Sequence, residues 1–222
     1  MSKQKSEEGR QRMTGRGENK LMRMNLMQGV SLDEPASLES ARPEQKAESI
    51  VLNSYDVTPL VGLKTIVHDA VIETTDEDGE VSITVPRQSQ LLAAAAVARC
   101  LMPIRLRGYE LRAMRKILRL TLVDLAKKLD EKTAPETLSR WESDTQPIGG
   151  YAEKLLRLLI CEELSSQAPG VDYNARMIAR LQIIDPWRAD PNYEVPPIEM
   201  IAVRAKEASG SVVDAWDVKK AA

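Results

Sequence analysis

The chain has no phenylalanine, and its aromatic fraction of 4% is small beside a hydrophobic fraction of 43%. A core made from these residues fits helical packing of Leu, Ala and Met better than a β-sandwich. Cysteine is almost missing. Cys100 and Cys161 stand far apart, each inside an apolar helical run. They read as buried free thiols, with a disulfide or metal pair as the alternative. His68 is the one histidine, so no nucleophile–histidine pairing, metal-ligand cluster or phosphate-cradling glycine loop is visible and an enzyme is not expected. No apolar span is long enough for a membrane helix, and the start lacks a signal-peptide pattern. A soluble, cytoplasmic protein is the expectation. The net charge of −2 leaves nucleic-acid binding open, because the distribution of charge decides that question.

What is present changes character along the chain. Residues 1–46 are polar and basic, with Lys3, Lys5, Arg10, Arg12, Arg16, Lys20 and Arg23 outnumbering Glu7, Glu8 and Glu18. They read as a disordered leader or as an arm drawn to phosphates. From Ile50 the texture becomes β-branched. Ile50 to Leu52, Leu63 to Ile72 and Val81 to Val85 are expected strands, with a turn through Thr75 to Gly79. Asp76, Glu77 and Asp78 in that turn read as solvated, with a cation site as the alternative. A small antiparallel sheet needs a helix across it. Gln88 to Met102, apolar nearly all round and ended by Pro103, is that helix. Helices are also expected over Gly108 to Leu118, Tyr151 to Leu164 and Tyr173 to Ile184. Beyond Asp185 the prolines Pro186, Pro191, Pro196 and Pro197 argue for an extended tail, loose or with a short element near Val212 to Trp216.

The centre of the chain is Thr121 to Glu142. Leu122, Leu125, Ala126 and Leu129 fall at helical spacing, and Thr121 with Asp124 makes a variant capping box. Pro135 suits the first position of a second helix, with Leu138 and Trp141 inward. So short a helix needs neighbours to hold it. Its remaining residues, Glu136, Thr137, Ser139 and Arg140, bear groups that reach base edges and phosphates. Two helices of this kind read as a helix-turn-helix. Between Arg105 and Arg157 there are twelve basic residues against eight acidic ones, a basic region in an acidic protein.

The segments Tyr55 to Lys64, Asp78 to Arg87, Leu106 to Leu129, Pro135 to Ser143 and Gln146 to Ile160 resemble the MqsA-like (YgiT-type) antitoxin and transcriptional-regulator family. That family joins a zinc-binding β module to a helix-turn-helix of the Cro/repressor type, and the resemblance covers roughly the middle half of the chain. Thr75 and Asp78 stand where the family carries a Cys-x-x-Cys pair. Structural zinc takes about four thiolate or imidazole ligands, so neither zinc nor another cofactor is expected. The turn Asp130 to Ala134 is longer than the family's tight turn. The implied fold class is α+β, mainly α. A small antiparallel β module with its linking helix (47–103) precedes a five-helix Cro/repressor-type helix-turn-helix domain (104–168). Flexible tails flank them, the C-terminal one (169–222) holding a helix and a Pro-rich stretch.

The resemblance implies insertion of a recognition helix into the major groove of double-stranded DNA. Arg140 is then the first candidate for a guanine or phosphate contact, with pairing to Glu136 as its alternative duty. Glu136, Thr137 and Ser139 are candidates for base edges. Thr121 and the first amides of its helix are candidates for a phosphate, and Lys127, Lys128 and Lys132 for phosphate attraction. Trp141 reads as core. The expected function is that of a bacterial sequence-specific transcriptional regulator, dimeric on a palindromic operator. The alternatives are an antitoxin that binds a toxin protein and regulates its own operon, and a DNA-binding accessory of a larger complex.

Overall fold

The computed structural model describes residues 48–76, 78–130, 132–206 and 210–219; the basic leader lies outside them. Among the described residues there are five strands and seven α-helices. Strand β1 (Glu48–Asp56) is followed by the single turn α1 (Thr58–Val61), β2 (Thr65–Thr75) and β3 (Val81–Thr84). Six helices come next: α2 (Gln88–Leu101), α3 (Gly108–Ile117), α4 (Leu122–Leu129), α5 (Pro135–Glu142), α6 (Gly150–Leu164) and α7 (Ala175–Arg180). The chain ends on β4 (Ile198–Lys206) and β5 (Val212–Val218).

The expected fold class is overturned. The sheet is not a small antiparallel module ahead of a five-helix domain. It is a mixed five-stranded sheet in the order β1-β2-β4-β5, with β3 also on β2. All the helices but α1 lie in sequence between β3 and β4, and the supposed Pro-rich tail returns to supply two strands. The reason lies in β2. Opposite Asn53 the register with β1 shifts, because β2 holds one extra residue where Asp69 takes a left-handed φ of 52°. Such a bulge bends and twists its strand. Beyond it, Ile72 to Thr75 pair antiparallel with β3. Before it, Thr65 to His68 pair parallel with Ile198 to Ile201 of β4. A four-residue β3 leaves half of the β2 edge uncovered, and unpaired backbone groups there need a partner. The tail prolines do not prevent this. Pro196 and Pro197 stop before Ile198, whose N–H is the first one needed and donates to the Lys64 carbonyl at 2.8 Å.

Helix α2 joins the two halves. Leu91, Ala93 to Ala98 and Cys100 are all buried, as expected of a helix apolar on every side. It packs against β4 and β5 on the sheet and against α6 in the helical part. Its alanines permit close approach from several directions at little entropic cost. The helix expected over Tyr173 to Ile184 is confined to α7. Residues after it are held extended, because Ile184 donates to the Pro103 carbonyl at 2.8 Å and accepts from the Arg105 N–H at 2.9 Å. Among the described residues no helix is long and apolar enough to cross a membrane.

Candidate functional site

Helices α4 and α5 begin where their sequence signals place them. Thr121 accepts the Asp124 N–H at 3.1 Å and donates its hydroxyl to the Asp124 carboxylate at 2.6 Å. The hydroxyl bond, with a weaker one from the Thr121 N–H, holds the Asp124 carboxyl below its usual range. The Thr121 hydroxyl is therefore engaged in its own helix. Leu125, Ala126 and Leu129 are buried, and Lys127 and Lys128 are exposed. The long turn is organised by Asp130. Its carboxylate accepts the Lys132 N–H at 3.2 Å and its carbonyl the Thr133 N–H at 3.1 Å.

Helix α5 is fixed by its inner face and its C-terminal end. Leu138, Trp141 and Glu142 are buried. Arg115 of α3 grips Glu142 with both arms, at 2.5 Å and 3.0 Å, and donates to the Leu120 carbonyl at 2.9 Å. The Glu142 bond raises the Arg115 pKa. At the first residue of α3, a Cβ on Gly108 would stand 2.5 Å from the Trp141 carbonyl oxygen and 2.6 Å from that of Glu142. Only glycine lets α3 begin so near the end of α5. The Gly108 N–H then donates to Asp144 at 2.9 Å. Ser143 and Thr145 donate their hydroxyls to the Arg140 carbonyl, at 3.2 Å and 3.1 Å, which closes the helix end.

The outer face of α5 has no comparable duty. Glu136, Ser139 and Arg140 are exposed and Thr137 is half-buried. The alternative pairing of Arg140 with Glu136 does not form among the described residues, where the Arg140 guanidinium has no ion-pair partner. Lys128 bonds Glu163 of α6 at 2.6 Å, so its charge is answered within the fold. Lys127 and Lys132 remain exposed.

The basic region divides in two. Arg105, Arg107, Arg115, Lys128 and Arg157 are committed to carboxylates. Arg112 lies 3.4 Å from Glu142, and Lys154 donates to the Ala179 carbonyl. Lys116, Arg119, Lys127, Lys132 and Arg140 are exposed and have no ion pair among the described residues. They follow one another from the end of α3, across α4 and its turns, to α5.

The committed arginines reveal features that periodicity alone did not single out. Arg99 and Glu110, both buried, form a two-pronged pair at 2.6 Å and 2.8 Å. Arg157 and Glu153, fully buried, pair at 2.8 Å. Arg157 also donates to the carbonyls of Cys100 and Met102 at 2.7 Å and of Ile104 at 2.6 Å. A cation thus caps the C-terminal end of α2, where the helix leaves carbonyls unpaired and partially negative. The signal was present in the sequence: a single arginine inside the apolar runs Leu91 to Leu101 and Leu155 to Ile160.

Cys100 and Cys161 are both buried and free. They are also neighbours: a hydrogen bond between the thiols, then burial, pushes the Cys161 pKa up. His68 sits half-buried in β2, 3.3 Å from Glu199. The Asp76 turn is a local device, its carboxylate accepting the N–H groups of Asp78 and Glu80. No group of three or more potential metal ligands occurs among the described residues.

In comparisons with known proteins, no family model, no curated protein and no solved structure matches the chain.

Proposed function

We propose that the protein is a sequence-specific DNA-binding regulator and that α5 is its reading helix. The observation that carries this is the division of labour on α5. Its inner face and C-terminal end are held by Gly108, Arg115 and buried Glu142. Its outer face offers Glu136, Ser139 and Arg140 to solvent without an intramolecular role for the Arg140 charge. A rigidly seated short helix with free polar ends is what base reading requires. The cations left unanswered on α3, α4 and α5 supply phosphate attraction. The resemblance of Pro135 to Ser143 and Gln146 to Ile160 to the MqsA-like family supports the same reading. A symmetric operator bound by a homodimer follows from it.

Gel shifts on the DNA upstream of the protein's own coding sequence test this. Arg140→Ala should weaken specific binding by about 1–3 kcal/mol if it removes a base contact. Unaltered sequence preference in that variant, or no binding at any salt concentration, defeats the proposal.

A second reading is protein neutralisation, as an antitoxin does, through the β1–β3 part of the sheet. Ile50, Val51 and Val81 are 49%, 58% and 59% exposed there, and exposed apolar groups on strands favour a protein partner. Co-purification of a small second protein, lost on Ile50→Lys with Val81→Lys, would support it. A clean single species from the native host would rule it out.

A further inference from the structure

A cavity of about 320 Å³ has Trp141 as its one wall residue from α5. It lies where residues 105–107, the end of α5, the loop after it and the turn at Pro186–Arg188 meet. Small-ligand pockets begin at about this size and combine apolar walls with a few polar groups. Two of the protein's three tryptophans, Trp141 and Trp187, stand in its wall. The Arg107 guanidinium lies 4.9 Å over the Trp187 ring. Tyr193 meets the same ring edge-on at 5.8 Å, and the Trp187 Nε1–H donates to the Tyr193 carbonyl. These contacts hold the ring in place.

The charges of the wall do not cancel. Arg105 takes Asp185 at 2.6 Å, and Arg107 lies 3.4 Å from Asp144. Arg188 is left to share Asp185 at 3.5 Å, and its side chain is 83% exposed. Glu153 behind Arg105 does not redress this, because Arg157 already answers it. One positive charge is in surplus. The Trp141 Nε1–H, a group that only donates, is buried without a partner among the described residues.

We propose that this cavity binds a small planar aromatic anion, with its ring against the tryptophan walls and its carboxylate towards Arg188. The indole surface that Trp141 and Trp187 bring to a partly polar wall selects a ring, and the surplus guanidinium selects a negative acceptor. Trp141 belongs to α5, so the occupied cavity touches the helix proposed to read DNA. An effector role rests on that DNA-reading proposal; the binding itself does not.

The test titrates the full chain with benzoate, benzamide and benzamidine, which share a shape and differ in charge. The three indole N–H signals are followed by NMR. Benzoate should shift the Trp141 and Trp187 signals saturably and leave Trp216, buried elsewhere at 1% exposure, unmoved. Benzamide and benzamidine should bind roughly tenfold more weakly or worse, the equivalent of one charge-assisted contact. Arg188→Glu should abolish the benzoate response. Gln146→Tyr, at an exposed wall position, should block all three probes. No saturable shift, equal response to benzamide, or an unchanged response in both variants overturns the site. DNA mobility with and without benzoate is read separately. If DNA binding is absent while the indole titration survives, the regulator reading falls and the site stands.

Discussion

Replacing Arg157 with methionine probes the joint between sheet and helices. Methionine fills much of the volume and donates nothing. Glu153, 0% exposed, would keep only the Leu106 N–H at 2.8 Å and the Arg105 Nε at 3.8 Å. The carbonyls of Cys100 and Met102 would lose their charged donor, and that of Ile104 would keep only Arg99, at 2.9 Å. Removing one partner of a buried pair costs about 3–5 kcal/mol, because an uncompensated charge is left in a poorly solvating interior. That figure already contains part of the carbonyl loss, so about 4 kcal/mol is expected, a large share of a usual total of about 5–15 kcal/mol. With a urea dependence of about 2 kcal/mol per molar, the midpoint of a circular-dichroism titration should fall by about 2 M. The double variant Arg157→Met with Glu153→Gln sharpens the test. Glutamine keeps an acceptor for the Leu106 N–H and removes the stranded charge, so the double variant should be more stable than Arg157→Met alone. A single-variant midpoint within about 0.5 M of the parent, or a double variant that loses the sum of both single losses, would refute the reasoning.

Other consequences are quicker to check. Gly108→Ala places a methyl group against backbone oxygens of α5 and should destabilise by at least the ~1–3 kcal/mol of an overpacked core, read from thermal unfolding. Thr121→Ala should cost about 1 kcal/mol as a lost helix cap and return the Asp124 carboxyl towards its ordinary range in an NMR titration. In the parent, that carboxyl is depressed on folding. Its stabilising contribution is therefore complete above the unfolded value of about 3.9 and disappears as pH falls through the lower folded value; Thr121→Ala should flatten this acid-side slope. Lys127→Ala should reduce the salt dependence of DNA affinity by about one phosphate contact. Lys128→Ala, whose partner is Glu163, should leave it nearly unchanged, and equal effects from both would argue against this division of the cations.

Local signals located much of the molecule. Thr121 and Pro135 announce the starts of α4 and α5, since a hydroxyl cap and a ring-fixed φ act within a few residues. The all-round apolar Gln88 to Met102 announces a helix buried on more than one side. The solvent face of α5 followed from Leu138 and Trp141 alone. β4 did not follow, although Ile198, Met200 and Ile201 make a short apolar run around Glu199. Four nearby prolines outweighed that run, and the need for β4 lies in the far edge of β2. Lys127 and Lys128 are equivalent in sequence, yet Glu163 distinguishes them from thirty-five positions away.

By itself, then, the sequence determined the starts and inward stripes of α4 and α5 and the residues α5 turns outward, because these depend on neighbours three or four positions apart. Tertiary structure alone decided the parallel return of β4 to β2, which cations are spent on Glu110, Glu142, Glu153 and Glu163, and the meeting of Trp141 with Trp187 in one wall. Each of these requires residues far apart in the chain to be brought together, and no local periodicity encodes a contact at that range.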